Sequence, residues 1–451
     1  MKTVFITIFE GVESKNILRT GIVDKMLSNN PELRVVLFVK NESRMDHYQK
    51  EFNHPRIVYE IAKPYEPNRL NRFFGRRKFH FLQTDTTDLR AKIIAQDRGR
   101  LYYYYTLLLH RILARSFFVK IFRFLDLVLV KDAYFDKYFE KYKPNLIFLA
   151  NLFEDFEANF LRSAKKHAVF SIGLINSWDR VTARCILRIL PDKFVVFNSV
   201  IKQEVVDANY VKPEDIFVSG LPQYDYYFSP VNFSRKDFLD KLGIEDESRV
   251  MFYSPIGGMF SNSDWEMIDL LYDLNNRGKF GEQVKIFVSF PPNDFIKEEE
   301  LEKRPWLLYQ YLGTRFSNVR STDWDMTKKE LDNLKSLLFH ASLIVCYASS
   351  LSMDAAVFDK PAININFEIK NNGNLSKSPT VFYKMTHYKK ALGAGGIRLV
   401  DNEEELIHWV RKYLEDPSVD REGRKKLVQR QCEYTDGKSA ERIALYLNKF
   451  I

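Results

Sequence analysis

Short runs of β-branched and aromatic residues alternate along the chain with longer stretches of helical periodicity, the pattern of βα units around mostly parallel sheets. In the first half the strand-like runs occupy residues 3–9, 34–40, 56–60, 146–150, 169–175, 194–197 and 216–219. Lys143-Pro144-Asn145 ends a helical segment just ahead of one of them, because the residue before a proline is pushed out of the helical region. The alternation pauses between Pro222 and Pro230 and over the charged segment 234–249, then restarts with runs at 250–253, 284–289, 319–320, 343–347, 362–366 and 397–400. Charged amphipathic helices are predicted over 403–414, 421–432 and 438–450. The pattern predicts an α/β protein of two tandem Rossmann-like domains, residues 1–228 and 229–451, with the last helices packing back toward the first. Ligands of open parallel sheets bind beyond the carboxyl ends of the strands, so the two domains are expected to face a cleft that holds the site.

Residues 62–135 break the alternation and are expected to form a helical insertion in the first domain. Arg69, Arg72, Arg76, Arg77 and Lys78 interleave with Phe73, Phe74, Phe79 and Phe81, and four consecutive tyrosines from Tyr102 precede a basic, Phe-rich stretch at 107–130. Basic and aromatic residues together suit the interface of an acidic bilayer, single-stranded nucleic acid, or an insertion whose rings pack inward. The basic residues of 107–130 do not gather on one helical face, and no RNA or DNA module accompanies them. The expectation is therefore peripheral contact with an acidic membrane or an inward-packed insertion, without nucleic acid. His110, Arg111, Arg115, Lys120 and Arg123 interrupt the stretch, so it falls short of the ~18–20 uninterrupted apolar residues of a spanning helix.

Composition narrows the class. At 451 residues with 45% apolar and 28% charged side chains, the chain is long enough for two or three domains with their own cores and too apolar to be disordered. Sixty-eight basic against 59 acidic residues leave a net charge of +9, which points to an anionic partner. Cys185, Cys346 and Cys432 are an odd number and widely spaced, so neither a disulfide framework nor a zinc site is expected, and the reducing cytoplasm is the expected compartment. Met1-Lys2-Thr3 and the apolar residues that follow read as a first buried strand and not as a secretory signal.

The segment from Leu343 to Asn364 carries the clearest chemistry. A hydrophobic strand ends in Ser349-Ser350-Leu351-Ser352, a short helix bearing Asp354 follows, and Lys360-Pro361 leads into another buried strand. Backbone N–H groups at such a turn suit a phosphate, and Asp354 can accept hydrogen bonds from sugar hydroxyls; serines in this position also serve simply as helix caps. This succession resembles the nucleotide-binding half of GT-B glycosyltransferases and of their relatives, the nonhydrolysing UDP-sugar 2-epimerases and the CDP-glycerol glycerophosphotransferases. Asn176-Ser177-Trp178-Asp179-Arg180-Val181-Thr182 is similar to the Ser-Trp-Asp-Asn-Leu-Thr element of bacterial surface-polysaccharide enzymes of that superfamily, with Arg180 replacing Asn, and Gly220-Leu221-Pro222-Gln223-Tyr224-Asp225 resembles their Gly-x-Pro-x-x-Asp passage. The likeness covers residues 140–450. It departs from the glycerophosphotransferases at Val288-Ser289-Phe290-Pro291-Pro292, where they resemble Arg-x-His-Pro, so the histidine expected for phosphotransfer is absent there.

The resemblance implies a GT-B glycosyltransferase that moves a sugar from a nucleotide-sugar to a surface glycan or lipid-linked saccharide at the inner face of the cytoplasmic membrane. The alternatives are a UDP-sugar 2-epimerase or polyol-phosphate transferase on the same scaffold, or a catalytically idle glycan-binding relative. Donor contacts are expected from Ser254, Pro255 and Gly257, whose small residues permit close backbone approach, from Ser349, Ser350, Ser352 and Asp354, and from His387 in a loop resembling one that folds over the nucleotide. Glu10, directly after the first strand, is the first candidate for the general base and Asp179 the second. Gly11, Trp178 and Arg180 are expected at the acceptor side. Glu10 could equally cap the following turn or pair with Lys15 or Arg19. No cofactor or metal is expected; Asp323-Trp324-Asp325 has the spelling of a metal motif but reads as a loop.

Overall fold

The computed structural model describes residues 2–62, 65–245, 248–281, 284–292, 294–316, 323–370 and 373–451. The chain forms two compact units, Met1–Phe228 with Gln431–Ile451, and Ser229–Arg430. Each is built on its own parallel sheet, a GT-B-like two-domain α/β architecture.

The first unit holds β1 (Lys2–Ile8), β2 (Leu33–Val39), β3 (Ile57–Ile61), β4 (Leu146–Leu149), β5 (Phe170–Leu174), β6 (Lys193–Val196) and β7 (Ile216–Val218). Their order across the sheet is β3-β2-β1-β4-β5-β6-β7, all pairs parallel. Only Lys2 of β1 is exposed, which accounts for the unbroken apolar run: helices cover both faces of such a sheet. The connections reverse direction between β1 and β4, so the loops after Ile8 and Leu149 diverge and leave room for a ligand at the carboxyl edge.

The end of the chain completes this unit. The carboxylate of Asp225 accepts the N–H groups of Ser439 (2.9 Å) and Ala440 (2.7 Å) at the start of the helix Ser439–Asn448. Gly220 sits at φ +85°, where a Cβ would lie 2.4 Å from Ser439 Oγ. Phe217 stacks on Tyr446 and Phe170 on Phe450. The Gly-x-Pro-x-x-Asp passage is thus the dock for the last helix, with glycine required by both backbone conformation and space.

The insertion is helical, and the 107–130 stretch breaks near Arg115 into Arg100–Leu113 and Ser116–Leu129. One face packs inward, where Phe74, Phe81, Leu82, Val119, Phe122 and Val130 cluster with Ile186. The other faces out: most of the exposed large apolar side chains lie between residues 70 and 129, among them Leu101 at 86%, Phe117 at 67% and Phe124 at 65% exposure. Beneath it, fully buried Asp126 receives Arg162 Nη2 (2.8 Å) and Arg188 Nε and Nη2 (2.7 and 2.8 Å), while Arg188 Nη1 reaches Asn71 Oδ1 (2.7 Å) and Asp155 Oδ1 (3.0 Å). Among the described residues no helix is long and apolar enough to cross a membrane.

The second unit holds β8 (Arg249–Ser254), β9 (Val284–Phe290), β10 (Leu308–Tyr311), β11 (Thr314–Arg315), β12 (Trp324–Asp325), β13 (Leu343–Cys346), β14 (Ala362–Ile365) and β15 (Arg398–Val400). The main sheet runs β10-β9-β8-β13-β14-β15, all parallel, and its direction of growth reverses between β8 and β13. The predicted strand at 319–320 lies outside the described residues. Trp324-Asp325, expected within a loop, pairs antiparallel with β11. The sequence pattern misses β10 because it is a half-buried edge strand with no apolar run.

Candidate functional site

In the first unit the turn after β1 meets the loop after β5. Glu10 stands at the N-cap of the helix Gly11–Ile17, and its Oε2 accepts Arg180 Nη2 at 3.3 Å. Arg19 pairs with Glu51. Arg180 also has Glu154 Oε1 at 3.9 Å, and these carboxylates, with Asp179 foremost among them, hold its guanidinium above its ordinary pKa despite burial. Asp179 accepts Ser177 Oγ at 2.5 Å, beside half-buried Trp178. Glu10, Gly11 and Arg180 therefore come together from sequence positions about 170 residues apart, with Asp179 and Trp178 flanking them.

Behind Glu10 lies polar chemistry that the sequence pattern does not reveal. Fully buried Glu13 accepts the N–H groups of Phe9 (2.5 Å) and Glu10 (3.2 Å) through Oε2, while its Oε1 has no partner. Asn151, Glu157, Asn176 and Arg180, all nine-tenths or more buried, also carry side-chain atoms without a hydrogen bond. Buried polar groups are ordinarily satisfied, and these residues gather just beyond the carboxyl ends of β1, β4 and β5. Burial, reinforced by the charge of Glu10, pushes Glu13 from 4.5 up to about 8, and burial with the charge of Glu13 raises Glu157 as well.

That shift has a measurable consequence. Between 4.5 and about 8 the folded chain retains a proton on Glu13 that the unfolded chain has released, so Glu13 lowers stability increasingly as pH rises through this window. Glu13→Gln mimics the protonated acid. It is expected to melt several degrees above the native protein at the top of the window, with the two converging below 4.5. Parallel melting curves across the window would contradict the assignment.

In the second unit the switch point lies between β8 and β13, and the Ser349–Ser350 turn follows β13 directly. Ser350 is exposed, and Ser349 Oγ accepts the N–H of Leu351 at 3.2 Å. Ser352, expected at the donor, is fully buried, where it donates to Asn364 Oδ1 (2.7 Å) and lies 3.4 Å from Cys346 Sγ and from Tyr388 Oη. It braces the turn from within. Tyr388, the last residue of the segment 382–388 that resembles the loop over the nucleotide, accepts the N–H of Ser349 (3.2 Å) and the Asn364 amide (2.5 Å). His387 precedes it on the helix Thr386–Leu392, so this helix is fastened onto the serine turn. Asp354 is buried one turn into the helix Leu351–Val357.

The glycine turn after β8 behaves differently from the sequence expectation. Gly257, at φ +99°, donates its N–H to Asp264 Oδ2 at 2.7 Å, and Gly258 donates to Asp294. Ser254 Oγ bonds the Ser289 carbonyl at 3.2 Å, and Pro255 is buried. Burial raises Asp264 to about 6. The neighbouring cavity of about 360 Å³ is lined by Asp264, Glu266, Asp294 and Glu300 against Lys297 and Lys370. The N–H groups offered to a diphosphate are thus occupied by carboxylates, whose charge opposes a second anion. Among the described residues no cluster of potential ligands suits a metal ion.

The fold has close counterparts. The UDP-GlcNAc 2-epimerase of Neisseria meningitidis superposes with a TM-score of 0.58 at 10% identity, covering all of both chains. The UDP-GlcNAc 2-epimerase of Methanocaldococcus jannaschii does so at 0.52 and 13% over all of both chains, and a glycosyltransferase of Rickettsia africae at 0.51 and 10% over 99% of each. At such identities the likeness establishes the fold alone. No curated protein sequence matches the chain. The model of the CDP-glycerol:poly(glycerophosphate) glycerophosphotransferase family matches residues 187–449, more than half of the chain and including the serine turn, and the protein belongs to that family.

Proposed function

We propose that the protein transfers a polyol phosphate from a CDP-activated polyol to a hydroxyl on a glycan or lipid-linked saccharide. The observation that carries this reading is the family match over 187–449, which favours phosphotransfer over the sugar transfer expected from sequence. In this reaction the acceptor oxygen attacks the β-phosphorus, the bond from that phosphorus to the CMP oxygen breaks, and CMP departs with the electron pair. Phe290 stands where the family resemblance places a histidine, so the proton of the acceptor hydroxyl goes to another group. Glu10 suits that role: it is partly exposed, follows β1 at the carboxyl edge, and is oriented by Arg180. Asp179 is the second candidate. Ser349, Ser350, Asp354 and His387 bind the donor in this account, with Ser350 directed to its phosphates.

The missing histidine specifically favours a second reading, sugar transfer from a nucleotide-sugar by the same residues. A thermal-shift comparison separates the two, since a ligand at ~100 times its dissociation constant adds ~2.7 kcal/mol of stability. CDP-glycerol and CDP are expected to stabilise the protein; stabilisation by UDP-sugars alone would overturn the polyol-phosphate reading. Ser350→Ala is expected to weaken CDP binding by ~0.5–1.5 kcal/mol, the worth of one hydroxyl hydrogen bond, as read by calorimetric titration. Unchanged affinity would remove the donor phosphates from this turn.

A further inference from the structure

The insertion, together with Arg184, lines a cavity of about 450 Å³ whose wall includes Arg76, Arg90, Arg98, His80 and His110 and no carboxylate. The sequence builds it by spacing. Thr87, Ala91, Ile94 and Arg98 fall on one face of the helix Asp85–Arg98, and Tyr102, Thr106 and His110 on one face of the helix Arg100–Leu113, because residues three and four apart share a side of a helix. Four guanidinium groups line the cavity, and the charge of Arg184 acts against Arg90 more strongly than the charge of Asp179 offsets it. Arg76 and Arg98 make no ion pair among the described residues; Arg98 lies over the Tyr102 ring at 5.2 Å. Arg90 donates to the Ala183 carbonyl, and Arg184 Nη1 makes a long ion pair of 4.0 Å with Glu154 Oε1. The wall also holds Thr106, 5% exposed, whose hydroxyl is buried without a hydrogen-bond partner. Asp88 lies 3.6 Å from His110 Nδ1 but is not among the lining residues. A concave site lined by several guanidinium donors, with no lining carboxylate and an unsatisfied hydroxyl, suits a phosphate, since guanidinium forks match its oxygens in pairs.

The rim adds a second requirement. Phe79 and Ile94 line the cavity while remaining 42% exposed, and Leu101, one residue from Tyr102, is 86% exposed. A free inorganic anion leaves these side chains in water; an amphiphile covers them. We propose that this cavity binds the phosphoester head group of an amphiphile, with the apolar portion lying along the exposed side chains of the insertion. The site lies outside the residues matched by the family model, and the assignment concerns binding, so it stands independently of the transfer reaction.

The test uses the full-length protein. Sedimentation with phosphatidylcholine vesicles, with and without phosphatidylglycerol, is paired with calorimetric titration of soluble glycerol 3-phosphate; the first arm reports an amphiphile, the second a tail-free phosphoester. R90Q/R98Q is compared with R69Q/R72Q, which removes the same charge from exposed positions outside the cavity. Expected is binding to phosphatidylglycerol vesicles that weakens on the order of tenfold or more in R90Q/R98Q and changes far less in R69Q/R72Q, with partial recovery in R90K/R98K. Should R90Q/R98Q melt early, R98Q alone carries the comparison, because Arg98 holds no part of the fold by an ion pair. Equal losses in the two double variants, binding to glycerol 3-phosphate alone, or binding in neither arm would overturn the proposal.

Discussion

Glu10→Gln is expected to lower turnover by about 10²–10⁴-fold, the usual contribution of a positioned general base, while donor affinity stays within a few-fold. Glutamine keeps the length of the side chain and can still accept the Arg180 hydrogen bond, now 3.3 Å, but it takes no proton from an acceptor hydroxyl. A loss confined to kcat identifies an interaction made in the transition state. Because Glu10 is also the N-cap of the helix Gly11–Ile17, melting temperature is measured in parallel: a fall in stability with turnover kept within a few-fold would make Glu10 a structural residue. Asp179→Asn tests the other candidate, and the variant that loses turnover without losing donor binding holds the base.

Asp126→Ala is expected to destabilise the first unit by about 3–5 kcal/mol, because it leaves the guanidinium groups of Arg162 and Arg188 buried without their shared carboxylate. Asp126 is fully buried and receives three bonds of 2.7–2.8 Å from them. The loss should appear in urea unfolding as a lower midpoint. Asp126→Asn, which keeps the shape and some acceptor capacity, should fall between. A midpoint for Asp126→Ala within about 1 kcal/mol of the native protein would show that water enters to replace the carboxylate. The residue ties the insertion to the segment before β6 through Arg188 and to the helix Asp155–Lys166 through Arg162, so loss of this network should also weaken any binding in the insertion cavity.

The parallel sheets were legible in the sequence because strands covered on both faces must be apolar throughout; β1, β2 and β13 are such strands. The edge strand β10 was not, since a half-buried edge lacks that signature. At the site, Glu10 and Arg180 were each singled out by position or motif, but their pairing belongs to the tertiary fold, which brings the ends of β1 and β5 to one edge. Glu13 and Glu157 escaped notice because a glutamate on a helix ordinarily faces solvent; only the fold shows both buried. The Gly257-Gly258 turn was readable as a tight turn, whereas its capture by Asp294 depends on a contact across 36 residues. Ser352 illustrates the same limit, since Ser349, Ser350 and Ser352 look alike in the chain and differ only in what Asn364 and Tyr388 take up.

Acceptor-dependent release of CMP from CDP-glycerol, followed by phosphorus NMR with a hydroxyl-terminated lipid-linked saccharide, tests the central claim most directly. The account predicts that CMP and a new phosphodiester on the acceptor appear together, that neither forms without acceptor, and that Glu10→Gln suppresses both. Consumption of a nucleotide-sugar with the same acceptor, while CDP-glycerol stays intact, would contradict it.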